Sequence, residues 1–191
     1  MNATGTQMKS RPLLYHMTLL TALASGACLA LPCNVQAQVL SSGKMLPLVL
    51  AQEAAQEALR SCEASGYRVS VAVVDVAGVE RLFLRGDRST IHTRETAFKK
   101  AYTVATLGPI FGSSTTSALI DRVSKTPTGP ALSTVTNIIL LAGGVAIRSG
   151  DETLAAIGVG GAPGGALDEV CAHAGVAKVQ ERVNALALPK L

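Results

Sequence analysis

Val69-Ser70-Val71-Ala72-Val73-Val74-Asp75, then Ala77-Gly78, then Glu80-Arg81-Leu82-Phe83-Leu84-Arg85 is the stretch from which the fold can be read. Two short runs rich in β-branched and apolar residues flank a tight glycine turn, the signature of a β-hairpin. Upstream, Leu46, Val49, Leu50, Ala54 and Ala58 recur at spacings of three and four residues, with Gln52, Glu53, Gln56, Glu57 and Arg60 between them. That stripe predicts an amphipathic helix, which Gly66 ends. Downstream, Ser89 or Thr90 can cap a helix running to about Leu107, where Gly108-Pro109 stops it, and Ser113 or Ser114 can start another to about Val123. Beyond the breaker-rich Lys125-Thr126-Pro127-Thr128-Gly129-Pro130, three strand-like runs follow: Ile138-Ile139-Leu140-Leu141, Val145-Ala146-Ile147-Arg148 and Thr153-Leu154-Ala155-Ala156-Ile157-Gly158-Val159. Gly143-Gly144 and Gly150-Asp151 supply their turns, and a last helix follows Gly164-Gly165. Five short strands, with helices at both ends and in the middle, predict an α+β domain in which helices pack on a five-stranded antiparallel sheet.

The 191 residues are 48% hydrophobic and 16% charged, a composition that builds a core and excludes disorder. A formal charge of only +4, with 3% aromatic residues and no Trp, argues against a nucleic-acid surface. Lys9 and Arg11, the apolar run from Leu19 to Leu31, and Val35-Gln36-Ala37 have the form of a signal peptide over residues 1–37. The apolar run is shorter than the roughly 20 residues a membrane span needs, so a cleaved signal is expected, not an anchor. The mature chain then starts near Gln38, forms a single domain over residues 38–191, and is periplasmic or secreted without stable membrane insertion. Cys28 and Cys33 leave with the signal. Cys62 and Cys171 remain in an oxidising compartment, where they form either one bridge between neighbouring helices or two buried thiols. Their separation is too large for a CxxC zinc site.

Four segments occur in order: Val71-Ala72-Val73-Val74-Asp75-Val76-Ala77-Gly78, Thr96-Ala97-Phe98-Lys99-Lys100-Ala101-Tyr102-Thr103, Ala142-Gly143-Gly144-Val145-Ala146-Ile147, and Ile157-Gly158-Val159-Gly160-Gly161-Ala162-Pro163-Gly164-Gly165-Ala166-Leu167-Asp168. Together they resemble the GlcG/HbpS family of haem-binding proteins, and they are similar to the C-terminal domain of PduO-type proteins. The resemblance covers about residues 44–180. Ala146 departs from it, standing where the family's GGVPI motif has Pro. The resemblance implies a profilin-like or roadblock-like sandwich with five antiparallel strands, homo-oligomers, and haem as the cofactor, to be sensed, carried or degraded.

Of the two histidines in the mature chain, His92 is the better candidate for an axial ligand to haem iron. On an ideal helix it shares a face with Thr96, Lys99 and Thr103, opposite the core stripe of Ala97, Ala101, Val104 and Ala105. That places it at the surface or in a groove closed by a second subunit, with Arg88, Arg94 and Lys99 available to haem propionates. Thr96 and Tyr102 are secondary candidates, for oxygen ligation or for packing on the ring. The plainer readings are a solvated His92 in the first helical turn and a Lys99 paired with Glu95. Lys99 is assigned as the lysine of the family's K-A-Y-T motif. His173 falls at the flank of a stripe made by Leu167, Val170, Cys171 and Ala174.

Residues 158–165 form a glycine-rich turn before a helix, a context that can hold a carboxylate or phosphate. It is no dinucleotide fingerprint, because Pro163 takes the third glycine position. Asp168 and Glu169 would complement the helix dipole and repel an anion. A small hydroxy- or keto-acid pocket at this loop, in an enzyme or a binding protein, is the main alternative to haem. A structural or sensory interaction module is the third reading. Ser113, Ser114 and Ser117 have no His and Asp partners that the sequence can place beside them, and Asp75 reads as a turn cap. No catalytic residue is assigned.

Overall fold

The computed structural model describes residues 41–188, so the expected signal peptide lies outside the described residues. β1 (Ser70–Asp75) and β2 (Glu80–Arg85) form the antiparallel hairpin read from the sequence. Its turn is held by Asp75, whose Oδ1 accepts the N–H groups of Ala77 and Val79 at 3.0 Å, and by Gly78 at φ 79°. β3 (Gly144–Ser149) and β4 (Glu152–Gly160) form the second hairpin, and β4 pairs antiparallel with β1 to give the order β2-β1-β4-β3.

Among the described residues the sheet has four strands, which corrects the expected five. Residues 138–141 are not a strand because the outer edge of β3 is already taken. Thr115 bridges Val145 there, and the Ala146 N–H donates to the Ser114 carbonyl at 2.8 Å. The Ile139 N–H donates instead to Thr103 Oγ1 at 2.9 Å, and Ile138 is buried. This segment therefore covers Thr103, which the helical projection had put on an open face and which is fully buried.

Helices lie on both faces of the sheet. α1 (Leu48–Ala64) and α4 (Gly165–Asn184) cover one, burying Ala54, Ala58, Val176 and Val179 against Val71, Val73, Ile147, Ile157 and Val159. Val49, read as part of the α1 stripe, is 56% exposed. α2 (Thr93–Phe111) covers the other face, packing Ala101, Val104 and Ala105 on Val74, Ala146 and Ala156. It begins later than expected because Ser89 is used elsewhere, its hydroxyl lying 3.2 Å from that of Ser70. It also runs through Gly108-Pro109, the proline falling in its last turn. Gly112, left-handed at φ 59°, ends it. α3 (Thr116–Val123) starts at a Thr115 cap, whose Oγ1 accepts from Ala118 N–H at 3.1 Å.

Small residues set the layer spacing. A Cβ on Gly158 would lie 2.1 Å from the Ala97 carbonyl oxygen, and one on Gly144 would lie 2.4 Å from that of Lys100, so α2 rests on bare backbone. On the other face, a Cβ on Gly175 would come within 2.4 Å of the Ala54 carbonyl oxygen, so α1 and α4 are equally close. There Cys62 and Cys171 form a disulfide with Cα atoms 5.4 Å apart, which settles the alternative left open by the sequence.

α4 corrects the stripe predicted for it. Leu167 and Val170 are 38% and 63% exposed, whereas Asp168 and Glu169 are buried. The helix is rotated because Cys171, Ala172, Gly175 and Val179 are the side chains small or apolar enough to meet α1 and the sheet.

Gly158→Ala is expected to destabilise the protein by at least roughly 1–3 kcal/mol, the range for overpacking. Gly164→Ala, where no atom lies within 4 Å, should stay within about 0.5 kcal/mol in the same urea titration. The disulfide spans 109 residues, and replacing both cysteines by alanine should cost roughly 2–5 kcal/mol by the same measure.

Candidate functional site

His92 is the N-cap of α2 and its side chain makes no capping bond. Its exposed imidazole lines a shallow cavity of about 460 Å³ with Ile91, Arg94, Glu95 and Phe98. Ile91 is 87% exposed, an apolar side chain beside the imidazole with little protein around it. Arg94 lies over the Phe83 ring at 5.3 Å and reaches Glu80 at 3.5 Å, which orients its guanidinium at one side of the cavity. Lys99 donates to Glu95 at 2.7 Å, holding that carboxyl below its usual range and offsetting the negative charge it brings to the cavity.

The other sequence candidates are not in the lining of this cavity. Thr96 donates to the carbonyls of His92 and Thr93 at 3.3 and 3.2 Å, so its hydroxyl is engaged with its own helix. Tyr102 packs on Phe98, ring centroids 5.8 Å apart, and against Gly78 in the β1–β2 turn. Arg88 is exposed at φ 64° in the turn before α2. His173 is exposed on α4, on the far side of the sheet from α2. Ser117 bonds Glu169, and Ser113 is buried with its hydroxyl unpartnered among the described residues.

The largest polar feature escaped the sequence reading. Lys100 is buried, and its Nζ donates to Asp168 Oδ2 at 2.6 Å and to the Val159 carbonyl at 2.9 Å, joining α2, β4 and α4. Lys100, not Lys99, directly precedes Ala101-Tyr102-Thr103 and is the lysine of that motif, so its assignment is corrected. Burial raises the Asp168 carboxyl above its ordinary range, against the opposing pull of Lys100 and of the Ala162 N–H, which donates at 3.0 Å. Next to it, buried Glu169 accepts from Thr116 Oγ1 at 3.2 Å and from the N–H groups of Ser117 and Gly143, both at 3.1 Å. The two acids thus serve as internal partners of a lysine and of loop amides. A signal was present in the sequence: Gly143 and Gly144 are forced by Lys100, whose Nζ lies 2.8 Å from where a Gly143 Cβ would sit.

The HbpS-like family, described as haem degrading protein HbpS-like, has a model that matches residues 46–177, and the chain belongs to that family. Among solved structures, HbpS is 37% identical with a TM-score of 0.65, over 74% of this chain and 95% of that one. A doubly substituted HbpS from Streptomyces reticuli is 36% identical with a TM-score of 0.64, over 78% and 96%. The complex of PduOC with haem shares the fold at 20% identity and a TM-score of 0.61, over 71% and 95%. No curated protein matches the chain.

Asp168→Asn, which leaves the Lys100 ammonium buried without its counter-charge, is expected to cost roughly 3–5 kcal/mol. The double variant Lys100→Met, Asp168→Leu should recover much of that loss, and a double-mutant cycle by urea denaturation measures the coupling.

Proposed function

We propose that this chain is an exported haem-binding protein that works as a homo-oligomer and senses, carries or degrades haem. The observation that carries the reading is the exposed His92 imidazole beside Ile91, Phe98 and Arg94 in one cavity. The donor set fits the group: a nitrogen ligand for iron, two apolar side chains for a ring face, and a guanidinium for a propionate. Bound haem would supply a redox-active iron. His92 would hold that iron, Ile91 and Phe98 would exclude water from one face of the ring, and Arg94, steadied by Phe83 and Glu80, would fix the orientation of an acid group. A second copy closing the open side of the cavity would shield the ring. Family membership supports the ligand class, and the Cys62–Cys171 disulfide supports an oxidising destination and hence export of a single domain over residues 38–191.

The small-acid reading has less in its favour. Asp168 and Glu169 already take the amides of Ala162 and Gly143 around the glycine-rich loop, so an incoming carboxylate would meet like charge there.

A haem titration of residues 38–191, followed at the Soret band beside His92→Ala, tests the proposal. Saturable binding is expected, weakened in the variant at least about tenfold, or about 1.4 kcal/mol. Equal binding by the variant would move the ligand elsewhere, with His173 next to test. No saturable binding by the wild type would overturn the haem reading.

A further inference from the structure

Among the described residues, no group hydrogen-bonds to the side of β2 that faces away from β1, whereas the outer side of β3 is occupied by Ser114 and Thr115. The Gly86 N–H donates to the Val69 carbonyl, which makes Val69 and Gly86 a hydrogen-bonded pair. Alternation along an antiparallel ladder then turns the backbone groups of Leu82 and Leu84 toward β1 and those of Phe83 and Arg85 outward. The register slip between Val73 and Val74, and the turn at Asp87 and Arg88, confine any added pairing to the segment from Phe83 to Arg85.

We propose that this edge pairs antiparallel with the same edge of a second copy about a two-fold axis at Leu84, joining the two sheets into one. Charge selects the register. Centring the axis on Phe83 would set Arg81 opposite the second copy's Arg85, and centring it on Arg85 would set two arginines face to face. Centring it on Leu84 sets Phe83 opposite Arg85 within the paired segment, and beyond its two ends brings Arg81, which also reaches Asp75 of its own chain at 3.8 Å, toward Asp87 and Glu80 toward Arg88, so no like charges face each other at the seam. The edge also adjoins the His92 cavity, because Phe83 is the ring on which Arg94 rests. The proposal rests on the homo-oligomer reading above and is independent of the ligand.

Two measurements on the mature protein test it. With Cys62 and Cys171 already paired, Leu84→Cys introduces the one free thiol of the mature chain, and mild oxidation should give a covalent dimer. Val79→Cys, in the β1–β2 turn, should not. In sedimentation equilibrium, Arg81→Asp should weaken self-association roughly tenfold or more, and adding Asp87→Arg should restore it. The charge-exchange arm decides the matter if Leu84→Cys does not fold. An oligomer that neither cross-links at position 84 nor responds to Arg81→Asp would overturn this edge while leaving the homo-oligomer reading intact. A monomer at all concentrations would overturn both.

Discussion

α2 touches the sheet backbone to backbone, and the rest of the molecule is arranged around that contact. With Gly144, Gly158 and Gly160 beneath it, the helix sinks until the Ala97 and Lys100 carbonyls meet the strands directly. So close an approach leaves little freedom of rotation, because any larger side chain turned inward would lift the helix. The rotation that satisfies it points Ala97, Ala101 and Val104 down and brings Lys100 into the protein. It also fixes the exposed position of His92 at the head of the helix.

Burying Lys100 creates the polar interior. An ammonium taken from water needs both hydrogen bonds and counter-charge, and it finds them in the Val159 carbonyl and in Asp168. Asp168 can reach it only because α4 turns its first-turn acids inward and its Leu167 and Val170 outward. One close helix–sheet contact thus propagates through a lysine to the rotation of a helix on the opposite face. Such a pair adds little net stability over an apolar core of equal shape, but with either partner missing the other is left as a buried uncompensated charge.

Much of this was legible in the sequence. Both hairpins, the helix α1 with its stop at Gly66, and the core stripe of α2 follow from periodicity and turn chemistry, which act locally. The failures have tertiary causes. Residues 138–141 have strand composition but no free edge to pair with, because Ser114 and Thr115 reached β3 instead. The α4 stripe was misread because a hydrophobicity pattern has no means of foreseeing that a buried lysine will draw two acids inside. His92 was placed on an open face from helical geometry alone, whereas Thr103 on that same face is covered by a loop that no local rule anticipates. Thr96 and Tyr102 were singled out by position along α2, yet their environments depend on Gly160 and Gly78, far away in the chain.

The Cys62–Cys171 bond gives the chain a topology beyond its fold. It ties residues 109 apart into a covalent ring that contains every strand, α2 and α3, with the first part of α1 and the last part of α4 leading away from it as two arms. The arms lie against each other, and Arg182 pairs with Glu53 across them at 2.9 Å. A pull applied at the two ends is carried by the arms and the sulfur–sulfur link, and it bypasses the ring. The ring cannot itself be drawn out in extension, but stripping the arms away would uncover the sheet face that Leu50, Ala54, Val176 and Val179 close, so the bond protects the connectivity of the sheet and not its packing.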